Sequence, residues 1–193
     1  MNKQDIIRFF DHLAPSWDAD MIRSDAIIAT ILDGAGVKEG AHILDVACGT
    51  GVLFPDYLKR NAACITAVDI SPEMVKLARK KFKQPNIEVL CGDIETIRLD
   101  KSFDNIMVYN AFPHFPDPKN LIRVLCGYLK KGGSLTVAHG MSRKTIDAHH
   151  EGKASTVSLG LMHEDALAAL FEKYLNVTVK IANDQMYQVT GVK

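Results

Sequence analysis

The sequence predicts an α/β fold: a doubly wound, mostly parallel sheet of seven strands, preceded by a helical cap and ended by an antiparallel hairpin. Three observations carry that reading. Short apolar runs alternate with helix-period patterns along most of the chain. One run, HILDVACGTGVL from His42 to Leu53, breaks into a turn holding Gly49 and Gly51 and passes into a helix-compatible stretch. The last two runs, Val177 to Ile181 and Met186 to Val192, flank Asn183-Asp184, a hairpin turn signal.

Taken in order, residues 4–14 set Ile6, Ile7, Phe9, Phe10 and Leu13 at helical spacing. Pro15 ends that helix, because the residue before a proline avoids the α region. A second helix lies within residues 16–35, with Ser24-Asp25 as its cap, Ala26, Ile27, Ile28, Ile31 and Leu32 on one face, and Gly34 and Gly36 closing it. The spacing then predicts strand 43–47, helix 52–60, strand 64–69, helix 72–82, strands 87–91 and 104–109, helix 118–129 and strand 134–139. Residues 140–162 are polar, and Ser142 is placed to cap a short helix through Arg143, Ile146 and His149 that Gly152 ends. A helix over 163–173 leads into the hairpin. The expected organisation is one domain, 1–193: a helical cap (1–36), a core (40–140), a lid insertion (141–163), and a C-terminal helix and hairpin (164–193).

The 193 residues suit one domain with a substantial core. Its 23 basic and 23 acidic side chains cancel, which gives a nucleic-acid partner no support. Asp5, Arg8, Asp11 and His12 interrupt the apolar N-terminal stretch, so it reads as neither a signal peptide nor a membrane span, and cytoplasm is the expected compartment. Cys48, Cys64, Cys91 and Cys126 show no C-x-x-C spacing and are expected as reduced, mostly buried thiols rather than a disulfide framework or a zinc site.

The glycine turn permits a ligand to lie against bare backbone, and the helix after it offers unpaired N–H groups. Acids stand at or just past the ends of three successive strands: Asp45, Asp69 and Asp93. Ligands of open α/β sheets bind outside the carboxyl ends of the strands, so these positions converge. Asp69 follows Gly51 by 18 residues, close to the ~20 expected of an acid that accepts from ribose hydroxyls. A ribose-bearing cofactor is implied. A dinucleotide site calls for a third glycine where Phe54 stands, which disfavours an NAD-dependent oxidoreductase. Asp45 adds a carboxylate suited to a cationic ligand group.

DVACGTG, the VDIS of 68–71, the CGDIE of 91–95 and the FDNIMVYNAF of 103–112 resemble, in order, the motifs of class I S-adenosylmethionine-dependent methyltransferases. The resemblance covers roughly residues 40–140 and implies a Rossmann-like enzyme that uses S-adenosyl-L-methionine and releases S-adenosyl-L-homocysteine. It implies that the backbone of Ala47, Cys48, Gly49 and Gly51 follows the methionyl part, with Asp45 near its amino end. Asp69 would hold the ribose hydroxyls, Ile70 and Met74 the adenine face, and Asp93 with Ile94 the adenine amino edge; Asn110 is counted with this cofactor set. The opening FFDHLAPSWD resembles the F-D-x-x-A-x-x-(Y/W)-D segment of quinone, sterol and related small-molecule methyltransferases. In those relatives the segment covers the cofactor, which would bring Phe10, Trp17 and Asp18 near the reacting centre.

Methyl transfer needs an aligned acceptor, excluded water and, for a hydroxyl or carbon acid, removal of a proton. His114, in FPHF after the fourth strand, is a candidate general base and an acceptor contact, with a structural or shaping role as the reading preferred over catalysis. Four of the seven histidines, His139, His149, His150 and His163, crowd the later segment; the first three are candidate acceptor contacts. No metal is expected, since the spacings match no H-E-x-x-H pattern. The expected partner is a small-molecule acceptor, with no nucleic acid and no membrane span, and a homodimer is left open. A non-catalytic S-adenosylmethionine-binding protein is the alternative reading, ahead of an NAD-dependent oxidoreductase.

Overall fold

The computed structural model describes residues 2–150 and 156–193, and of His149 and His150 the backbone alone. Two helices, α1 (Lys3–Leu13) and α2 (Asp25–Gly34), precede the sheet. There follow β1 (His42–Val46), α3 (Phe54–Lys59), β2 (Cys64–Asp69), α4 (Pro72–Lys81), β3 (Ile87–Cys91), β4 (Phe103–Tyr109), α5 (Pro118–Tyr128), β5 (Leu129–His139), α6 (Arg143–His150), α7 (Glu164–Phe171), β6 (Asn176–Ala182) and β7 (Tyr187–Val192). The seven strands form one sheet in the order β3-β2-β1-β4-β5-β7-β6. β1 is parallel to both β2 and β4, so the strand order reverses between β1 and β4. That reversal is where a doubly wound sheet opens a crevice. β7 runs antiparallel between β5 and β6, and Asn183 Oδ1 accepts from Gln185 N and Met186 N to close the expected hairpin.

Side-chain parity along the strands sorts the core into two layers. Leu44, Val46, Ile106, Val108, Leu135 and Val137 face α5 and α7, through Leu121, Leu125, Leu167 and Phe171. Ile43, Ile65, Ala67, Met107 and Ala138 face α2, α3 and α4, through Ile31, Tyr57 and Val75. Most of these side chains are fully buried, the Val, Leu, Ile, Met and Phe among them each stabilising the fold by roughly 1.5–3 kcal/mol. Helix starts are where the sequence puts them: Ser24 accepts from Ile27 N, Ser71 from Met74 N and Ser142 from Thr145 N. Gly152 lies outside the described residues.

Three expectations shift. β5 begins at Leu129 rather than at residue 134, because Leu129 pairs with Phe103 before the register slips at Phe103/Asn105. α3 is shorter than its expected 52–60, since residues 50–53 remain a turn. All four cysteines are free, but Cys48 and Cys126 alone are buried; Cys64 is half-buried and Cys91, at the outer end of β3, is exposed. Among the described residues no helix is long and apolar enough to cross a membrane.

Candidate active site

The site is built from strand ends. Directly after β1 the chain turns through Ala47 and Gly49, both in the left-handed region at φ 54°. An alanine there carries about 1–2 kcal/mol of steric cost, a strain concentrated at the turn. Gly49 N–H donates to Asp69 Oδ2 at 2.8 Å, and Ser71 N–H to Asp69 Oδ1 at 2.8 Å. The acid ending β2 therefore ties the β1 turn to the start of α4. Burial pushes its carboxyl up and the two N–H donors oppose that shift.

The two glycines of the turn differ in what they permit. A Cβ on Gly49 would meet only Trp17 Nε1, at 3.9 Å, so its open side is left to a ligand. A Cβ on Gly51 would fall 2.7 Å from Phe54 Cδ2 and 2.9 Å from Phe82 Cε2. Phe54, standing in the third glycine's place, packs its ring 5.0 Å from that of Phe82. Gly51 thus serves packing beneath the turn and is not part of the cavity wall.

A cavity of about 1050 Å³, counting its open mouth, lies over these strand ends. Ala47, Cys48 and Gly49 line it after β1, Asp69, Ile70 and Met74 after β2, Asp93 and Ile94 after β3, and Asn110 after β4. Phe10, Trp17 and His114 complete the opposite wall. Asn110 adopts φ 53° and its Oδ1 accepts from Gly140 N, joining the ends of β4 and β5.

Asp45 lies behind the turn, because it shares parity with Ile43 and so faces α3 rather than the crevice. It is 2% exposed, and its Oδ2 has no hydrogen-bond partner among the described residues. Burial first, then the neighbouring Asp69, raises its pKa to about 8, against a lowering influence from the Tyr57 hydroxyl. His139 also stands away from the cavity wall. It shares parity with Leu135 and Val137, is buried, and sets its ring 6.1 Å from that of Tyr187. The side chains of His149 and His150 lie outside the described residues. His163 accepts from Asp165 N at the start of α7. Among the described residues no group of three metal-ligating side chains forms.

Several contacts of the site went unmarked in the sequence, which singled out Asp18 but neither its partners nor Lys3 and Arg23. Lys3 Nζ bonds Asp93 Oδ2 at 2.5 Å and Glu95 Oε2 at 2.6 Å. Asp11 accepts from Ser71 Oγ and, at 3.2 Å, from Glu73 N. Asp18 accepts from Thr50 Oγ1 and pairs with Lys81 at 2.7 Å. Together they fasten α1 and the segment after it across the cavity. Arg23, on the wall, donates to Val52 O at 2.7 Å and Asp56 Oδ2 at 2.6 Å. Lys3 and Asp93 are 90 residues apart and Arg23 and Asp56 are 33 apart, so no local pattern could have disclosed these two pairs.

Residues 43–133 match the family model described as a methyltransferase domain. The match falls on the same core as the class I S-adenosylmethionine-dependent methyltransferase motifs of residues 40–140 and supports that resemblance. It is 34% identical over 139 residues to a malonyl-[acyl-carrier protein] O-methyltransferase of Priestia megaterium, covering 70% of this chain and 51% of that protein. It is 36% identical over 100 residues to a ubiquinone biosynthesis O-methyltransferase of Coxiella burnetii, covering 50% and 42%. The chain spans about half the length of these curated relatives. The N-methyltransferase NodS from Bradyrhizobium japonicum, crystallised in complex with S-adenosyl-L-homocysteine, shares the fold at a TM-score of 0.75 and 16% identity, with 99% of this chain and 97% of that one covered. The residues present suit the methyltransferase cofactor. Gly49 leaves an open cradle, Ile70, Met74 and Ile94 supply apolar wall, and the buried Asp45 oxygen offers an unused acceptor behind the turn.

Proposed function

We propose that this chain transfers a methyl group from S-adenosylmethionine to an oxygen of a small-molecule acceptor in the cytoplasm. The observation that carries the reading is the cavity itself. On one side stand Gly49, Asp69 and Asp93 at the ends of successive strands, and on the other an aromatic wall of Phe10 and Trp17 with His114 beside it. The oxygen acceptor is supported by the names of the two O-methyltransferases of 34% and 36% identity. The cytoplasm is supported by four free cysteines.

Bound S-adenosylmethionine supplies an activated methyl group on a sulfonium centre. The chain's own residues do the rest. Gly49 and its neighbours give the methionyl part a bare backbone, Asp69 accepts from the ribose hydroxyls, Ile70 and Met74 hold the adenine face, and Asp93 with Ile94 its amino edge. Asp45, once ionised, offers charge to the amino end from behind the turn. The described residues of 1–36 and 141–163 act as covers over the 40–140 core, excluding water. His114 takes the proton from the acceptor hydroxyl, a contribution of typically ~10²–10⁴-fold.

Titration calorimetry tests the first half: S-adenosylmethionine and S-adenosylhomocysteine are expected to bind and NAD to leave no heat. Tighter binding of NAD would overturn the assignment. Incubating the protein with methyl-labelled cofactor and fractionated metabolite extracts then reads the acceptor, and a protein that binds cofactor yet labels nothing would point to the non-catalytic alternative.

A further inference from the structure

We propose that the hydroxyl of Tyr57 is the donor that lets Asp45 carry its charge beneath the turn, and so holds this carboxylate ready for the cofactor's amino end. The inference rests on the methyl-transfer reading above and adds a positioning residue to it. Asp45 pairs across the sheet with Ala67 of β2 and Met107 of β4. Both belong to the layer that α3 covers with Tyr57. Tyr57 is fully buried there, yet its hydroxyl has no hydrogen-bond partner among the described residues, and neither has Asp45 Oδ2. An O–H without an acceptor and a carboxyl oxygen without a donor thus share one apolar layer. Burial and then Asp69 raise Asp45, and the Tyr57 hydroxyl opposes them. Burial first, and then Asp45, pushes Tyr57 well up, so the phenol keeps its proton and remains a donor.

The other titratable groups around Asp45 do not take this role. Asp69, at the end of β2, is itself an acceptor, held by the N–H groups of Gly49 and Ser71. Cys48, in the turn, is a thiol that burial first, then Asp69 and Asp45, push well up. Asp56 of α3 is paired with Arg23 at 2.6 Å, and Tyr109 of β4 interacts with Asn110, Arg23 and Asp56. An ionised Asp45 therefore stands beside a second carboxylate, with the Tyr57 O–H as the donor for its buried oxygen. A buried carboxylate without a donor is costly, so the free chain keeps Asp45 protonated. With an ammonium group at the turn, Asp45 gives up its proton to water, and Tyr57, keeping its own, donates to the oxygen left charged. Binding of the amino end and release of a proton are then one event.

Calorimetry in buffers of different ionisation enthalpy counts the protons released on binding. S-adenosylhomocysteine is the probe, and 5′-methylthioadenosine, which lacks the amino-acid end, is its control. At pH 7 the wild-type chain is expected to release about one proton with the first and almost none with the second. Tyr57→Phe removes only the hydroxyl, and is expected to weaken S-adenosylhomocysteine roughly tenfold at pH 7 while 5′-methylthioadenosine stays within about twofold. In the Asp45→Asn background the same substitution should change neither affinity further. Equal losses for both probes would mark a packing role alone, and an unchanged affinity for S-adenosylhomocysteine would leave the pair uncoupled; either result overturns the proposal. If neither probe binds, the functional reading fails, and the pair is decided in the free chain by ¹³C NMR of the Asp45 carboxyl, identified by its loss in Asp45→Asn. Its titration midpoint is expected to rise by about one pH unit in Tyr57→Phe, and an unmoved midpoint overturns the proposal.

Discussion

The two sides of the cavity are held by different physics. On the cofactor side, Asp69 is fixed by main-chain N–H groups of Gly49 and Ser71, both within a few residues of a strand end and all buried or nearly so. On the acceptor side, the covers are held by side-chain pairs that reach across the molecule. Lys3, Asp18 and Lys81 are about one-third to one-half exposed in those pairs. The first kind of contact follows from the sheet and persists in salt. The second is worth little individually and is screened by ions. The turn is thus held by buried main-chain bonds, while α1 and the segment after it are fastened by pairs that salt is expected to weaken.

The two glycines of the turn offer the largest effect by which to break this contrast. Gly51→Ala forces a Cβ to within 2.7 Å of Phe54 at φ +86°, and is expected to destabilise the fold by roughly 2–4 kcal/mol through overpacking and backbone strain together. Gly49→Ala meets open space at φ +54°, and is expected to cost about 1–2 kcal/mol of stability. Its larger effect is on cofactor affinity, because the new methyl group occupies the cradle. Thermal unfolding beside calorimetry separates the two; equal losses of stability would mean that the turn is one structural unit with no face reserved for a ligand.

Asp45 gives a smaller effect with a distinctive pH signature. Its folded-state pKa of about 8 lies above the ordinary 3.8, so between those values the folded chain holds a proton that the unfolded chain has released. Stability from this group is therefore full below about pH 4 and is lost as pH rises through 8, with Asp69, also raised by burial, acting in the same sense. Asp45→Asn is expected to flatten the fall in stability between pH 6 and 8 in the absence of ligand. The same change should weaken S-adenosylmethionine binding, and it should remove the tightening of that binding that the ionised carboxylate gives the wild type as pH rises over this range. Chemical denaturation and calorimetry at several pH values read both; a variant whose two profiles match the wild type would show Asp45 to be uncoupled from the site.

The side held by main-chain bonds was also the legible one. Strand alternation, the glycine turn and the acid at each strand end are local signals, and Asp69, Asp93, Ile70 and Met74 all line the cavity as the motif order implies. Parity held further information that went unread. Asp45 shares a face with Ile43, and His139 shares one with Leu135 and Val137, which puts the first behind the turn and the second against Tyr187. The helical character of α1 was plain, but its docking was not. Nothing near Lys3 announces Asp93, and nothing in a heptad or an alternation marks Asp11 as the acceptor for Ser71. Long-range polar pairs leave no periodic trace, so the covers could be drawn as helices and not as closures.

The smallest expected effect sharpens the comparison most directly. Lys3 sits on Asp93 and Glu95 with its own side chain 39% exposed, so Lys3→Ala should change folding stability by no more than about 1 kcal/mol. If the covers are held by such pairs, the same variant should release S-adenosylhomocysteine several times faster. The wild-type release rate should climb with added salt while the variant's climbs less, since one screened pair is already gone. Stopped-flow chase at low and high ionic strength measures both rates. A variant that keeps the wild-type rate and salt response would move the closure onto the apolar contacts of Ile6, Phe10 and Val157, and the acceptor side would then be held by the same burial that holds the donor side.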